Sequence, residues 1–252
     1  MQQPKTFYVR TYGCQMNELD SEVMIGQLLN RGMTRCQDEL DADLLLFNTC
    51  SIRDLAERKV MGKLGQLGRT RQTKAIIGVT GCMANAKKES LLQKLPHIDF
   101  VLGTNNIHEL NHVLDEVLAS GKQMVRTDDQ FSFELDYLNA KREDKVKAYV
   151  SIIRGCDKFC TYCIVPSVRG PEQSRPPQQI LTEARQLASE GCKEIILLGQ
   201  TVNSYKYLEG SRHWRLSDLL VSLHEVDGIE RIKFVTNYPK DMTLDLLQAI
   251  RD

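Results

Sequence analysis

The sequence predicts an α/β chain in two parts, a doubly wound parallel sheet followed by the first units of a (β/α) barrel. Three observations predict it. Strand-like apolar runs alternate with helix-length amphipathic segments through the first 120 residues. Residues 121–146 then turn polar, charged and aperiodic, and from Ala148 the alternation resumes at longer spacing. Parallel strands need crossovers of helix length, and this alternation supplies them.

In chain order, FYVRTYG (7–13) reads as a strand and Asn17 to Arg31 as a helix. LLLFNT (44–49) is a continuous apolar run, the mark of a strand covered on both faces, and a helix follows over about 54–67. AIIGVTG (75–81) is a third strand with a helix over about 85–94, and DFVLG (99–103) is a fourth. From Ile107 to Leu118 the apolar residues Leu110, Val113, Leu114, Val117 and Leu118 recur at helical spacing. This first part, 1–122, is expected to be flavodoxin-like, with 123–146 as a linker. In 147–252, strands read at 148–153, 194–199 and 231–236, and helices at about 178–190, 216–226 and 243–251. Ile180, Leu181, Ala184, Leu187 and Ala188 form one helical face. The chain ends at Asp252 after three such units, where a closed barrel needs several more, so the barrel is expected to be partial.

Composition narrows the class. The 252 residues are 42% hydrophobic and 26% charged, which fits a globular chain with a sizeable core. The longest apolar runs are strand-sized, too short for a membrane span, and MQQPKTFYV lacks the pattern of a signal peptide. Formal net charge is zero, so the global balance announces no phosphate-rich partner. The basic stretches Arg69, Arg71, Lys74 and Lys141 to Lys147 read as solvated loop and linker. Eight cysteines spread through a chain of this size favour metal or redox use in a reducing compartment over a disulfide scaffold, and a cytoplasmic location is expected.

Six of those cysteines form two sets. Cys156, Cys160 and Cys163 follow a strand in RGCDKFCTYCIVPSVRG with the spacing C-x3-C-x2-C. No fourth ligand follows closely, whereas a structural zinc site wants four. Three thiolates on a 4Fe-4S cluster leave one iron open. Cys14, Cys50 and Cys82 are separated by 36 and 32 residues, one β/α unit each time, and each ends or follows one of the first three strands. Carboxyl ends of parallel strands share one sheet edge, so these three thiols are expected to converge as a second three-cysteine site. Cys36 and Cys192 have no such placement and read as buried or half-buried free thiols.

C-x3-C-x2-C with an aromatic before the last cysteine resembles the radical S-adenosylmethionine (radical SAM) superfamily. TYGCQMNELDSE, NTCSIRDLAERKV and RGCDKFCTYCIVPSVRGPEQSRP are similar to the methylthiotransferases, and among these to the tRNA-2-methylthio-N6-dimethylallyladenosine synthases. The resemblance covers essentially the whole chain. It implies a radical SAM core and two 4Fe-4S clusters, one on Cys156, Cys160 and Cys163 that binds S-adenosylmethionine through its open iron. One electron from that cluster would cleave the cofactor to methionine and a 5′-deoxyadenosyl radical. The other cluster, on Cys14, Cys50 and Cys82, would carry the sulfur to be inserted. The implied substrate is tRNA with an isopentenylated adenosine 3′ of the anticodon (position 37), methylthiolated at adenine C2. A low-potential electron donor and a sulfur source are implied partners, and the chain is expected to act as a monomer away from membranes. The resemblance also suggests Tyr162 near the cofactor adenine, Gln200 and Asn203 on the catalytic edge, and Arg169 and Arg175 as forks for the cofactor carboxylate.

The pattern departs from the family in two places. Thr236, Asn237, Tyr238 and Pro239 stand where Thr-Ser-His-Pro is expected, and the family continues with the rest of the barrel and a small β-barrel RNA-binding (TRAM) domain. A neighbouring reading is a methylthiotransferase of threonylcarbamoyl-adenosine tRNA or of a ribosomal-protein aspartate. GCQMN favours the isopentenyl-adenosine group over relatives that read GCPKN or GCKVN. A reading from another class is an inactive iron–sulfur or zinc-binding fragment.

Overall fold

The computed structural model describes residues 3–52, 54–70, 75–127 and 137–251. They form two compact units, 1–141 with 162–169, and 142–161 with 170–252.

The first unit is built on β1 (Thr6–Tyr12), α1 (Gln15–Asn30), β2 (Thr34–Arg35), β3 (Leu44–Thr49), α2 (Asp54–Thr70), β4 (Ile76–Gly81), α3 (Cys82–Lys87), α4 (Glu89–Lys94), β5 (Phe100–Leu102), α5 (Leu110–Ser120) and β6 (Met124–Arg126). The strands form one sheet in the order β2-β1-β3-β4-β5-β6, and every neighbouring pair is parallel. This is the flavodoxin-like order, extended by one strand and reversing direction between β1 and β3. Alternate residues of a strand face opposite sides. Leu45 and Phe47 of β3 pack with Ile77, Val79 and Val101 beneath Val60 and Leu64 of α2. Leu44 and Leu46 on the other side are equally buried, as are Leu19, Val23 and Leu28 of α1 and Val113 and Val117 of α5.

Both faces of β3 are apolar, so a one-residue slip would still bury leucines, each worth about 1.5–3 kcal/mol. Hydrophobicity alone therefore does not fix its register. The polar carboxyl end does. Asn48 Nδ2 donates to the Asn17 carbonyl at 2.7 Å and to Ser21 Oγ at 2.9 Å, and Thr49 Oγ1 donates to the Thr80 carbonyl. Tyr12, Thr49 and Gly81 are thereby held level across three strands.

The second unit contains β7 (Lys147–Ser151), β8 (Ile153–Arg154), β9 (Gln173–Ser174), α7 (Pro177–Ser189), β10 (Glu194–Leu198), β11 (Lys206–Glu209), β12 (Arg212–Arg215), α8 (Leu216–His224), β13 (Arg231–Phe234) and α9 (Leu244–Arg251). The parallel sheet runs β7-β10-β13, so consecutive units sit side by side as in a barrel wall. Val150, Ile195 and Leu197 pack beneath Ile180, Ala184 and Leu187 of α7 and Leu219 and Leu223 of α8. A buried carboxylate, Glu183 on α7, is paired with both Arg142 and Arg175.

The structure corrects the sequence reading in four places. The linker expected from 123 begins with β6, which adds a strand beside β5 and is too short for periodicity to reveal. The helix expected over 85–94 starts at Cys82 and is broken at Lys88, whose φ of 46° no helix accommodates. Residues 162–169, containing the short helix α6 (Val165–Arg169), cluster with the first unit and not with 147–252. The β11–β12 hairpin was not anticipated, although Gly210-Ser211 between two β-rich runs is a two-residue turn signal. Arg71, Lys74 and residues 128–136 of the expected linker lie outside the described residues.

Candidate metal centre

Sheet order places the first cysteine set. β1, β3 and β4 are adjacent in the sheet, with neighbouring parallel strands about 4.8 Å apart. Cys50 and Cys82 each follow one of the level residues Thr49 and Gly81, and Cys14 follows Tyr12 by two. All three therefore leave one sheet edge side by side. Cys14 is half-buried, while Cys50 and Cys82 are buried.

A layer of buried amides holds these loops. Cys14 is the N-cap of α1, and Asn17 Oδ1 accepts from its backbone N–H at 3.3 Å and its thiol at 3.4 Å. Asn17 Nδ2 donates to Asn48 Oδ1 at 3.0 Å and to the Thr49 carbonyl at 3.4 Å, which ties the first loop to the second. The Ile52 N–H donates to Cys50 Sγ at 3.3 Å. Gly81 joins the third loop. It has φ +92°, and a Cβ there would stand 2.4 Å from the Thr49 carbonyl oxygen, so only glycine fits.

Arg169 completes the site from the helix Val165–Arg169, which packs on α3. Arg169 is 3% exposed, with Nη2 at 3.4 Å from Asp20 Oδ2. Burial works against its charge, but the sulfur of Cys82, the carboxylate of Asp20 and the sulfur of Cys14 outweigh it, and its pKa stands above the ordinary arginine value. Its Nη1 is buried and has no hydrogen-bond partner. Thr104 Oγ1 donates to the Val168 carbonyl at 3.2 Å and fixes the same helix.

Among the described residues, no three Cys, His, Asp or Glu side chains are gathered closely enough to hold a single metal ion. A cluster is wider than an ion and keeps its cysteines further apart. Three thiols, a buried cation and an orphaned donor suit an anionic iron–sulfur group, because thiolate ligands and cluster sulfides supply the negative charge and acceptors missing there.

In the second unit, the carboxyl ends of β7, β10 and β13 lead into three loops. Cys156 is buried in the first, with Sγ 3.3 Å from Thr201 Oγ1 of the second. Gly155 precedes it with φ +74°, where a Cβ would meet the Pro171 carbonyl oxygen at 1.9 Å. Asn203 bonds Tyr238 twice, donating to its carbonyl and accepting from its N–H, both at 2.8 Å, so Thr236–Pro239 is tied to the second loop. Gln200 keeps a buried Oε1 without a partner. Cys160 is half-buried in this unit, and Cys163 is half-buried in the segment that clusters with the first. Tyr162 is 90% exposed.

Both arginines expected as carboxylate forks already face protein carboxylates, Arg175 with Glu183 and Arg169 with Asp20. Sequence reasoning missed Lys158, whose Nζ lies 2.6 Å from Asp241 Oδ2 and 4.9 Å from the Tyr238 ring centroid. The hydrogen bond to Asp241 raises its pKa. No local signal marks a partner 83 residues away. Cys36 is half-buried and Cys192 buried, and each thiol donates to a backbone carbonyl. No helix among the described residues is long and apolar enough to cross a membrane.

Comparison with known proteins matches residues 6–103 to the family described as uncharacterized protein family UPF0004, and residues 150–252 to the radical SAM superfamily. The chain is 70% identical over 254 residues to a tRNA-2-methylthio-N(6)-dimethylallyladenosine synthase of Protochlamydia amoebophila, covering 100% of this chain and 56% of the relative. Proteins of that name from Rhodopirellula baltica and Dictyoglomus thermophilum are 46% and 44% identical, covering 98% and 97% of this chain and 55% and 56% of their own length. The chain thus spans about half the length of the curated relatives it matches. Among solved structures, the radical S-adenosylmethionine methyltransferase TsrM from Kitasatospora setae, with cobalamin and a 4Fe-4S cluster bound, superposes with a TM-score of 0.63 at 13% identity. It covers 98% of this chain and 59% of that one. The cobalamin-dependent S-adenosylmethionine radical enzyme OxsB gives 0.59 at 12% identity, over 98% of this chain and 41% of that one. At such identities the likeness shows the fold.

Proposed function

We propose a function from one premise, that the chain belongs to the radical SAM methylthiotransferase family. The chain carries the cofactor-holding part of an enzyme that adds a methylthio group to C2 of N6-isopentenyladenosine at position 37 of tRNA, in the cytoplasm. What supports this reading above all is the pair of three-cysteine sets, each one ligand short of closing a site, in a chain 70% identical to a relative of that name. Cys156, Cys160 and Cys163 hold one 4Fe-4S cluster, and Cys14, Cys50 and Cys82 hold a second. When bound, the clusters and S-adenosylmethionine supply the radical and the sulfur with which the C2 hydrogen is replaced.

The chain's own residues bind and orient. Asn17 and Asn48 fix the loops of Cys14 and Cys50, and Gly81 lets the Cys82 loop approach them. Thr201 buttresses Cys156, and Asn203 holds the Thr236–Pro239 loop at the catalytic edge. Gln200, with its unpartnered Oε1, is assigned to the cofactor on that edge, and the family resemblance assigns the exposed Tyr162 to its adenine. Nucleoside mass analysis of tRNA tests the reaction. Deleting the full gene should abolish 2-methylthio-N6-isopentenyladenosine and leave its unthiolated precursor. An unchanged level, or a change confined to threonylcarbamoyl-adenosine, would refute the substrate. Anaerobic reconstitution followed by iron and sulfide counting tests the cofactors, and zinc without iron would sink the enzyme reading.

A further inference from the structure

Arg169 is a buried charged group at the first cysteine set, and Asp20 meets only part of what it offers. The Nη2 contact with Asp20 is long, at 3.4 Å, and engages one edge of the fork. Nη1 is buried without a hydrogen-bond partner, and a buried donor left unsatisfied is costly unless something answers it. The helix that carries it is anchored at two points. Val168 is bonded to Thr104, and the helix ending at Arg169 packs on α3, which opens at Cys82. The guanidinium is thus presented, desolvated, beside Cys14 and Cys82.

We propose that Arg169 is a positioning residue for the Cys14–Cys50–Cys82 site, donating through Nη1 to an anionic sulfur held there. The inference rests on the proposed cluster at those cysteines. A charge-assisted bond from a buried cation strengthens as negative charge accumulates on its acceptor. Adding an electron to an iron–sulfur group does this, so Arg169 favours the reduced form. Asp20 opposes it by neutralising the cation. The two residues are therefore expected to move one property in opposite directions, which a purely structural ion pair would not do.

The test uses the full chain with Cys156, Cys160 and Cys163 replaced by alanine, so that only this site can hold a cluster. Iron and sulfide are counted and the midpoint potential is read by EPR-monitored titration. Arg169→Gln should weaken the reduced form about tenfold, a shift of about 59 mV to more negative potential. Arg169→Lys, which keeps the charge, should retain most of the parent value. Asp20→Asn should shift it to more positive potential, and keeps the test open if Arg169→Gln does not fold. Unchanged potentials in both Arg169→Gln and Asp20→Asn, or shifts of the same sign, would overturn the role of Arg169. A parent that takes up no iron would instead overturn the cluster reading on which it rests.

Discussion

Gly81 shows how little freedom the cysteine-bearing sheet edge has. Its φ of +92° and ψ of −164° lie in a region reserved for glycine, and a methyl group there would drive into the Thr49 carbonyl. Gly81→Ala is expected to cost about 1–3 kcal/mol in backbone strain alone, with more from the displaced Thr49. Gly32, at φ +86° with nothing within 4 Å, is the control. Gly32→Ala should cost less, and urea unfolding of the two variants checks the difference. Glu183 poses the opposite problem. It is 1% exposed between the guanidinium groups of Arg142 and Arg175, and Glu183→Gln would remove the charge that both pairs share. Breaking a buried pair in this way typically costs about 3–5 kcal/mol, measurable as a lowered denaturation midpoint with unchanged slope. Cys14, Cys50 and Cys82 were legible as a set because strand periodicity assigns each to a strand end. Arg169 was not legible as their neighbour, because its anchor Asp20 lies 149 residues earlier and no local pattern joins them.

Elements defined by burial on both faces were the easiest to read. LLLFNT occupies β3 residue for residue, since a central parallel strand needs an unbroken apolar run. Short or one-sided elements were not. MVR became β6 only because Met124 and Gly103 bond across the sheet edge to Asp99 and Arg126. The break between α3 and α4 was equally hidden, since Lys88 carries no sequence signal of a positive φ. Lys88→Gly should remove that strain and stabilise the protein by about 1 kcal/mol if the gain exceeds glycine's extra entropy in the unfolded chain. A raised thermal midpoint would show it. Asp43, at the start of β3, accepts from the Lys5 and Thr6 N–H groups, and the Lys5 bond lowers its pKa against its slight burial. A carboxyl held below its unfolded value contributes stability above that value and loses it as pH falls through the folded one. Asp43→Asn should therefore destabilise the chain near neutrality and flatten its loss of stability in acid, as seen by comparing urea midpoints at neutral and acidic pH.

At the scale of the whole chain, the two cysteine sets differ in how they are made. Replacing Cys14, Cys50 and Cys82 by alanine should leave half the iron of the reconstituted parent, replacing the other three should leave the other half, and replacing all six should leave none. Sheet order also sets a schedule. Cys156 and Cys163 span eight residues, a loop an unfolded chain closes in about 10–100 ns. Cys14, Cys50 and Cys82 meet only after β1, β3 and β4 have paired in parallel, a non-local and intrinsically slow kind of contact. A chain refolded with ferrous iron and sulfide should thus show two phases of metal uptake, a fast one that precedes folding and a slow one that reports it. Gly81→Ala should slow the second phase and spare the first, making iron uptake at Cys14, Cys50 and Cys82 a clock for the assembly of the sheet.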